Sequence, residues 1–206
     1  MANESSKTQP ARSICVYCGS GNGKSPAYRQ AAEVLGAAIA NAGYGLVYGG
    51  GSLGLMGTVA KSALDAGGYV TGIIPAFLSD REMMLKDVDD LVVTEDMHQR
   101  KMLMFEKSDA FIALPGGIGT LEELVEQLTW SQLGQHTKPV VVANITGYWN
   151  PFLNLLEEMR REEFIRKKLQ VEFAIAETAE EIVPKVEAEW AAIAEVDEGK
   201  SIPKRF

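Results

Sequence analysis

Short apolar runs alternate with longer amphipathic stretches along the chain, and glycine or proline marks most of the boundaries between them. Ser13 to Cys18 is the first run with the composition of a buried strand. The turn Gly19-Ser20-Gly21-Asn22-Gly23 follows it, and a helix is predicted from Pro26, a good first-turn residue, to Asn41, with Gly43 beyond its end. Gly45 to Tyr48 reads as a second strand, Gly49-Gly50-Gly51-Ser52-Leu53-Gly54 as a second glycine loop, and Leu55 to Ala66 as the helix after it. Tyr69 to Ile74 is a third strand closed by Pro75, whereas periodicity leaves the acid-rich stretch Ala76 to Asp90 unresolved. A strand from Leu91 to Thr94, a helix from Met97 to Lys107, a strand from Ala110 to Leu114 and a helix from Thr120 to Leu133 come next. Pro139 to Asn144 is a sixth strand, and helical patterns at Pro151 to Phe164 and Ala179 to Ala194 flank a last strand at Phe173 to Ala176. Thr178-Ala179-Glu180-Glu181 has the spacing of a capping box at the start of the final helix.

Strands that alternate with helices through short loops predict an α/β fold, a parallel sheet of about seven strands with helices on both faces. Such sheets bind ligands at the carboxyl ends of their strands, where both glycine loops fall. One domain is expected over residues 12–195, between polar tails at 1–11 and 196–206 that are expected to be mobile.

With 206 residues and 46% hydrophobic content, the chain can bury one sizeable core. A net charge of −8 argues against a nucleic-acid polymer as partner, because phosphate-backbone binding needs a basic field. A small anion held by a glycine loop and a local cation stays compatible with it. Neither a signal-peptide core nor an apolar run of membrane-spanning length is present in the sequence, so a soluble cytoplasmic protein with no membrane partner is expected. Cys15 and Cys18 lie three apart in a strand, which points them to opposite faces and predicts buried free thiols rather than a redox pair. His98 and His136 are isolated, so no metal is indicated. Five of the eight methionines lie between Met83 and Met104, as ordinary core or as the lining of an adaptable apolar pocket.

The chemistry centres on Leu114-Pro115-Gly116-Gly117-Ile118-Gly119-Thr120-Leu121-Glu122-Glu123, a loop from strand to helix. Its three glycines permit close approach of a ligand, and the helix behind them offers unpaired amides and a positive dipole end to a phosphate or carboxylate. A capping box between Thr120 and Glu123 is the competing reading, although it leaves the glycines unexplained. Two other glycine motifs mislead. Gly19 to Ser25 resembles a P-loop, but only three residues separate Gly19 from Gly23 where the nucleotide cradle needs four. Gly49-x-Gly51-x-x-Gly54 fits the dinucleotide fingerprint, yet the next strand ends in Ile73-Ile74-Pro75 with no acid for a ribose hydroxyl, which argues against NAD. Arg100 and Lys101 open the helix after the fourth strand, at the same sheet edge as the Pro-Gly-Gly loop. A pairing of Arg100 with Glu123 is expected to keep that carboxylate ionised and to direct it, whereas Lys101 serves either the anion site or a solvated surface.

Gly49-Gly50-Gly51-x-x-Gly54-Leu55-Met56-Gly57, Met97-His98-Gln99-Arg100-Lys101 and Pro115-Gly116-Gly117-x-Gly119-Thr120-x-x-Glu123 resemble the three hallmark segments of the Lonely Guy family of cytokinin-activating phosphoribohydrolases. The resemblance spans about Ser13 to Ile165, in the family's order. It implies a Rossmann-like, doubly wound sheet, a homodimer with sites near its interface, and no cofactor. It also implies hydrolysis of the N-glycosidic bond of a cytokinin riboside 5′-monophosphate, with Arg100 and Glu123 as the catalytic pair. The residues agree with what that reaction demands: an ionised Glu123 meets the positive charge that builds at the anomeric carbon, while Gly116, Gly117, Gly119 and Thr120 hold the 5′-phosphate. Arg100 either orients Glu123 or contacts phosphate and sugar. Ser20, Gly50, Gly51, Met97 and Lys101 complete the candidate binding set. Glu122 ranks behind Glu123 because it projects about 100° away on the helix. The rival readings are a nucleosidase for AMP or other purine nucleotides without preference for a prenyl group, and a non-catalytic nucleotide carrier. A pyridoxal phosphate decarboxylase, a label often given to such sequences, finds no lysine in a recognisable setting.

Overall fold

Every residue of the first strand, β1 (Ser13–Tyr17), is buried, and the rest of the sheet is laid out from it in two directions. The computed structural model describes residues 7–79, 84–167 and 169–199. After β1 come α1 (Pro26–Asn41), β2 (Gly45–Tyr48), α2 (Gly54–Asp65), β3 (Val70–Pro75), the single turn α3 (Ala76–Ser79), β4 (Asp90–Thr94) and α4 (Met97–Glu106). The second half contains β5 (Ala110–Ala113), α5 (Ile118–Gln132), β6 (Val140–Ala143), a one-turn 3-10 helix (Ile145–Gly147), α6 (Asn150–Arg161), β7 (Ala174–Ala176) and α7 (Ile182–Gly199). The strands form one parallel sheet of seven in the order β4-β3-β2-β1-β5-β6-β7, the doubly wound α/β arrangement expected from the alternation of elements.

Alternation along β1 sorts the core into two layers. Ile14, Val16 and Cys18 face the layer that holds Leu35 and Ile39 of α1, Val59 of α2 and Val186 of α7. Cys15 and Tyr17 face Met104 of α4 and Leu124 and Leu128 of α5. The two cysteines are therefore on opposite faces, buried and free, as their spacing predicts. From β1 the chain winds outward to β4, then crosses back to place β5 on the other side of β1. The carboxyl ends of β1 and β5 thus form the switch point where such sheets open a crevice. The turns leaving them touch, with Gly19 N donating to Pro115 O at 3.1 Å.

Local sequence explains most helix starts. Ser25 caps α1 by accepting from Ala27 N at 3.3 Å, with Pro26 in the first turn, which accounts for the serine and proline of the P-loop lookalike. α1 and α2 cross closely because residue 36 is glycine, since a Cβ there would stand 2.3 Å from Val59 O.

Several boundaries differ from the periodic pattern. The box expected at Thr178 shifts by one residue: Glu181 accepts from Glu177 N at 3.1 Å, and α7 begins at Ile182. α7 continues to Gly199, past the expected Ala194, so residues 196–199 of the assigned tail are helical, and 200–206 lie outside the described residues. At the other end residues 1–6 lie outside them, while Lys7 Nζ donates to Gly68 O at 2.7 Å. The unresolved stretch after Pro75 contains α3 and then an antiparallel bridge between Met84 and Gly51, with residues 80–83 outside the described set. Among the described residues no helix is long and apolar enough to cross a membrane.

Gly36→Ala is expected to lower stability by about 1–3 kcal/mol, because the new methyl must push α1 off the α2 backbone. Gly21→Ala, where a Cβ would meet nothing within 4 Å, is the control and should change it by less than about 0.5 kcal/mol in urea unfolding.

Candidate functional site

The site is built where α4 and α5 start, on either side of the crevice above β1. Asp96 caps α4 by accepting from Gln99 N at 2.8 Å, and the Gln99 side chain accepts from Glu95 N at 2.8 Å. This reciprocal cap turns Arg100 inward. Its Nε donates to Ile73 O of β3 at 3.2 Å, and its Nη1 donates to Glu123 Oε1 at 2.9 Å. Both side chains of the pair are only 9% exposed. Room for the guanidinium depends on Gly49, whose Cβ, if present, would lie 2.4 Å from Arg100 Nη2.

α5 begins at Ile118 rather than at Thr120, with Gly117, which has no side chain to cap it, as its N-cap. The capping box between Thr120 and Glu123 is therefore not formed. Thr120 sits inside the first turn, and Glu123 is occupied by Arg100. A Cβ at Gly117 or Gly119 would meet nothing within 4 Å, so the uncapped turn faces open space. At Gly116 the reverse holds: a Cβ would meet Thr120 Oγ1 at 2.1 Å and Gly19 N at 2.8 Å, so this glycine closes the loop against its neighbours.

A cleft of about 340 Å³ lies over this turn. Of the residues proposed from sequence, Ser20, Met97, Arg100, Gly117, Gly119, Thr120 and Glu123 line it. Gly116 instead borders an adjoining depression, also of about 340 Å³, which Ser20 and Gly117 share. Gly50, Gly51 and Lys101 are directed elsewhere. Gly50 has φ +78°, and its carbonyl accepts from Leu85 N at 3.1 Å, while Gly51 bridges to Met84. Lys101 Nζ is held by Glu122 at 2.6 Å and by Glu126 at 2.9 Å.

The second glycine loop has a packing task. Leu55 N and Met56 N at the start of α2 donate to Gly19 O at 3.0 and 3.3 Å, so these amides are satisfied by the protein. Gly54 has φ +60°, and a Cβ there would stand 2.3 Å from the Ser20 carbonyl. The dinucleotide fingerprint thus seats α2 against the β1 turn.

Burial pushes the Glu123 carboxyl up to about 7, against the opposing pull of Arg100 and with a further push from Glu122. The expected pairing with Arg100 is formed and favours the ionised carboxylate, while burial works against it. Burial also raises the thiols of Cys15 and Cys18, which suits inert core groups. His98 is exposed, and His136 is buried with its ring against Gln127 O at 3.2 Å. Among the described residues no group of acids, cysteines and histidines could hold a metal.

Tyr17, Cys18, Met56 and Leu78 also line the cleft and were not proposed from sequence as site residues. Met97 and Met104 belong to the methionine cluster, which therefore serves partly as lining, while Met102 is exposed and Met83 lies outside the described residues. The end of β1 carries no such signal, since a strand residue at a cleft reads like any other core residue.

The chain matches the protein-family model described as possible lysine decarboxylase over residues 56–186. It is 47% identical over 184 residues to the cytokinin riboside 5′-monophosphate phosphoribohydrolase LOG3 of Arabidopsis thaliana, covering 89% of this chain and 86% of that protein. It is likewise 47% identical over 176 residues to the cytokinin riboside 5′-monophosphate phosphoribohydrolase LOG of Oryza sativa subsp. japonica, covering 85% of this chain and 73% of that one. Among solved structures, the molybdenum cofactor binding protein of Rippkaea orientalis superposes with a TM-score of 0.65 at 26% identity, covering 86% of this chain and 96% of that one.

The raised carboxyl has a stability consequence of definite sign. A folded value of about 7 lies above that of an unfolded glutamate, so the contribution of Glu123 to stability is fully present below about pH 4 and is lost as pH rises through 7. Between pH 5 and 8 the wild-type protein should lose about 2 kcal/mol relative to Glu123→Gln, read from urea unfolding of both proteins at each pH.

Proposed function

The chain belongs to the Lonely Guy family of phosphoribohydrolases, and from that premise we propose that it hydrolyses the N-glycosidic bond of cytokinin riboside 5′-monophosphates, releasing the free base and ribose 5-phosphate. The observation that carries this reading is the buried Arg100–Glu123 pair standing beside an uncapped helix start in one cleft. The 5′-phosphate sits on the first turn of α5, at Gly117, Gly119 and Thr120, where free amides and the helix dipole favour an anion. Held there, the ribose lies over Glu123. Water bonds to the anomeric carbon as the bond to the base nitrogen breaks, and the departing base takes the electron pair and a proton. Ionised Glu123 stabilises the oxocarbenium-like state or accepts the proton of the attacking water.

Arg100 acts in this scheme as the holder of Glu123. Its Nε and Nη1 are committed to Ile73 O and the carboxylate, which supports orientation over direct phosphate contact. Met56, Leu78, Met97 and Met104 supply an apolar wall for the base. The reaction needs only water, and pyridoxal phosphate does not fit: among the described residues lining the cleft there is no lysine, and Lys101 is tied to two glutamates. A buried carboxyl held by Arg100 in the same cleft, and raised by that burial, favours the enzyme over a carrier without catalysis. The proposal includes a cytoplasmic location and a homodimer, the latter supported by the exposure of Ile118, 82%, at the rim of the cleft and of Val125, 42%, farther along α5.

Incubation with AMP and with isopentenyladenosine monophosphate, followed by separation of base, nucleoside and nucleotide, is the decisive assay. Base and ribose 5-phosphate should appear, faster from the prenylated nucleotide; equal rates would favour the general purine nucleosidase. Glu123→Ala should lower kcat by about a thousandfold or more while folding and nucleotide binding persist, and undiminished turnover would end the assignment. Because the ionised carboxyl is the working form, kcat/KM of the wild type should fall as pH drops below about 7.

A further inference from the structure

Outside the three glycine and arginine segments, one side chain reaches into the Pro-Gly-Gly loop. The Tyr148 hydroxyl, from the turn that follows β6, donates to Gly116 O at 2.5 Å. We propose that Tyr148 is a positioning residue for phosphate binding, aiming the Gly117 amide by fixing the peptide plane it shares with the Gly116 carbonyl.

The geometry of a trans peptide makes this connection direct. The carbonyl of one residue and the amide of the next lie in one plane and point in opposite directions. Anchoring Gly116 C=O on the Tyr148 side therefore sends Gly117 N–H the opposite way. The preceding carbonyl is held as well, by Gly19 N on Pro115 O at 3.1 Å. Without such ties a loop with glycine at 116 and 117 would sample other peptide orientations, and the anion would have to order it at the expense of affinity.

The turn that presents Tyr148 is built more rigidly than a surface connection requires. Thr146 adopts φ +56°, a strained setting for a β-branched residue, and Gly147 follows with φ +74°. Asn144, 3% exposed, holds the turn from inside: its Oδ1 accepts from Trp149 N at 2.8 Å and its Nδ2 donates to Asn150 Oδ1 at 2.9 Å. The Tyr148 ring is set edge-on against Tyr28 at 5.6 Å and Trp149 at 5.1 Å. With the ring set in this way, the hydroxyl reaches the loop at Gly116 O.

This inference rests on the reading that the start of α5 binds the substrate phosphate, and the experiment separates the two. Tyr148→Phe keeps the ring contacts and removes only the hydroxyl. Binding of AMP by calorimetry and turnover of the nucleoside monophosphate are measured for wild type and variant, with the unphosphorylated riboside as control substrate. The variant should bind AMP about tenfold more weakly and show a KM raised by a similar factor, with kcat within about twofold and the riboside reaction unaltered. Equal AMP affinity in the two proteins, or an equal loss with the riboside, overturns the role of Tyr148 and leaves the phosphate site standing. Failure of the wild type to bind AMP overturns both.

Discussion

The ion pair between Arg100 and Glu123 is the contact on which the cleft depends. Removing two charges from water costs several kcal/mol per ion, so such a pair persists only with good geometry and further hydrogen bonds. Here the guanidinium also donates to Ile73 O, and Gly49 leaves the space it fills. The pair ties the first turn of α4 to that of α5 across the carboxyl edge of the sheet. Burial outweighs this pairing and pushes the Glu123 carboxyl up to about 7, the range in which a general base would exchange a proton near neutral pH.

Two glycine loops meet at the sheet's switch point and divide the work. The amides at the start of α2 are taken by the Gly19 carbonyl, which fastens the β1 turn to that helix. The start of α5 keeps no such partner among the side chains and faces the cleft. A motif that reads as nucleotide-binding thus serves as a wedge between α2 and the β1 turn. The strained turn after β6 contributes from the opposite side, through the Tyr148 hydroxyl. The Pro-Gly-Gly loop is therefore held by two connections, one from the β1 turn and one from the turn after β6.

The walls of the cleft differ in kind. Methionines and Leu78 form a deformable apolar side, while the opposite side consists of main-chain amides held by a helix. A planar base and a charged phosphate make these two demands, and the buried carboxyl stands in the same cleft.

Periodicity alone determined the order of strands and helices, the parallel sheet and the placing of both glycine loops at one edge, because these follow from local burial patterns and short connections. It also placed Arg100 and Glu123 at helix starts along that edge, where they could pair, while their catalytic roles came from the resemblance to the family's hallmark segments. Only the tertiary structure decided between a capping box and an ion pair for Glu123, because both satisfy the same spacing and the partner lies 23 residues away. It likewise turned Lys101 toward Glu122 and Glu126, closed the start of α2 with a carbonyl from another turn, and brought Tyr148 to Gly116. The raised value of Glu123 has the same origin: desolvation is a property of how completely the folded chain surrounds a group, and no stretch of sequence carries it.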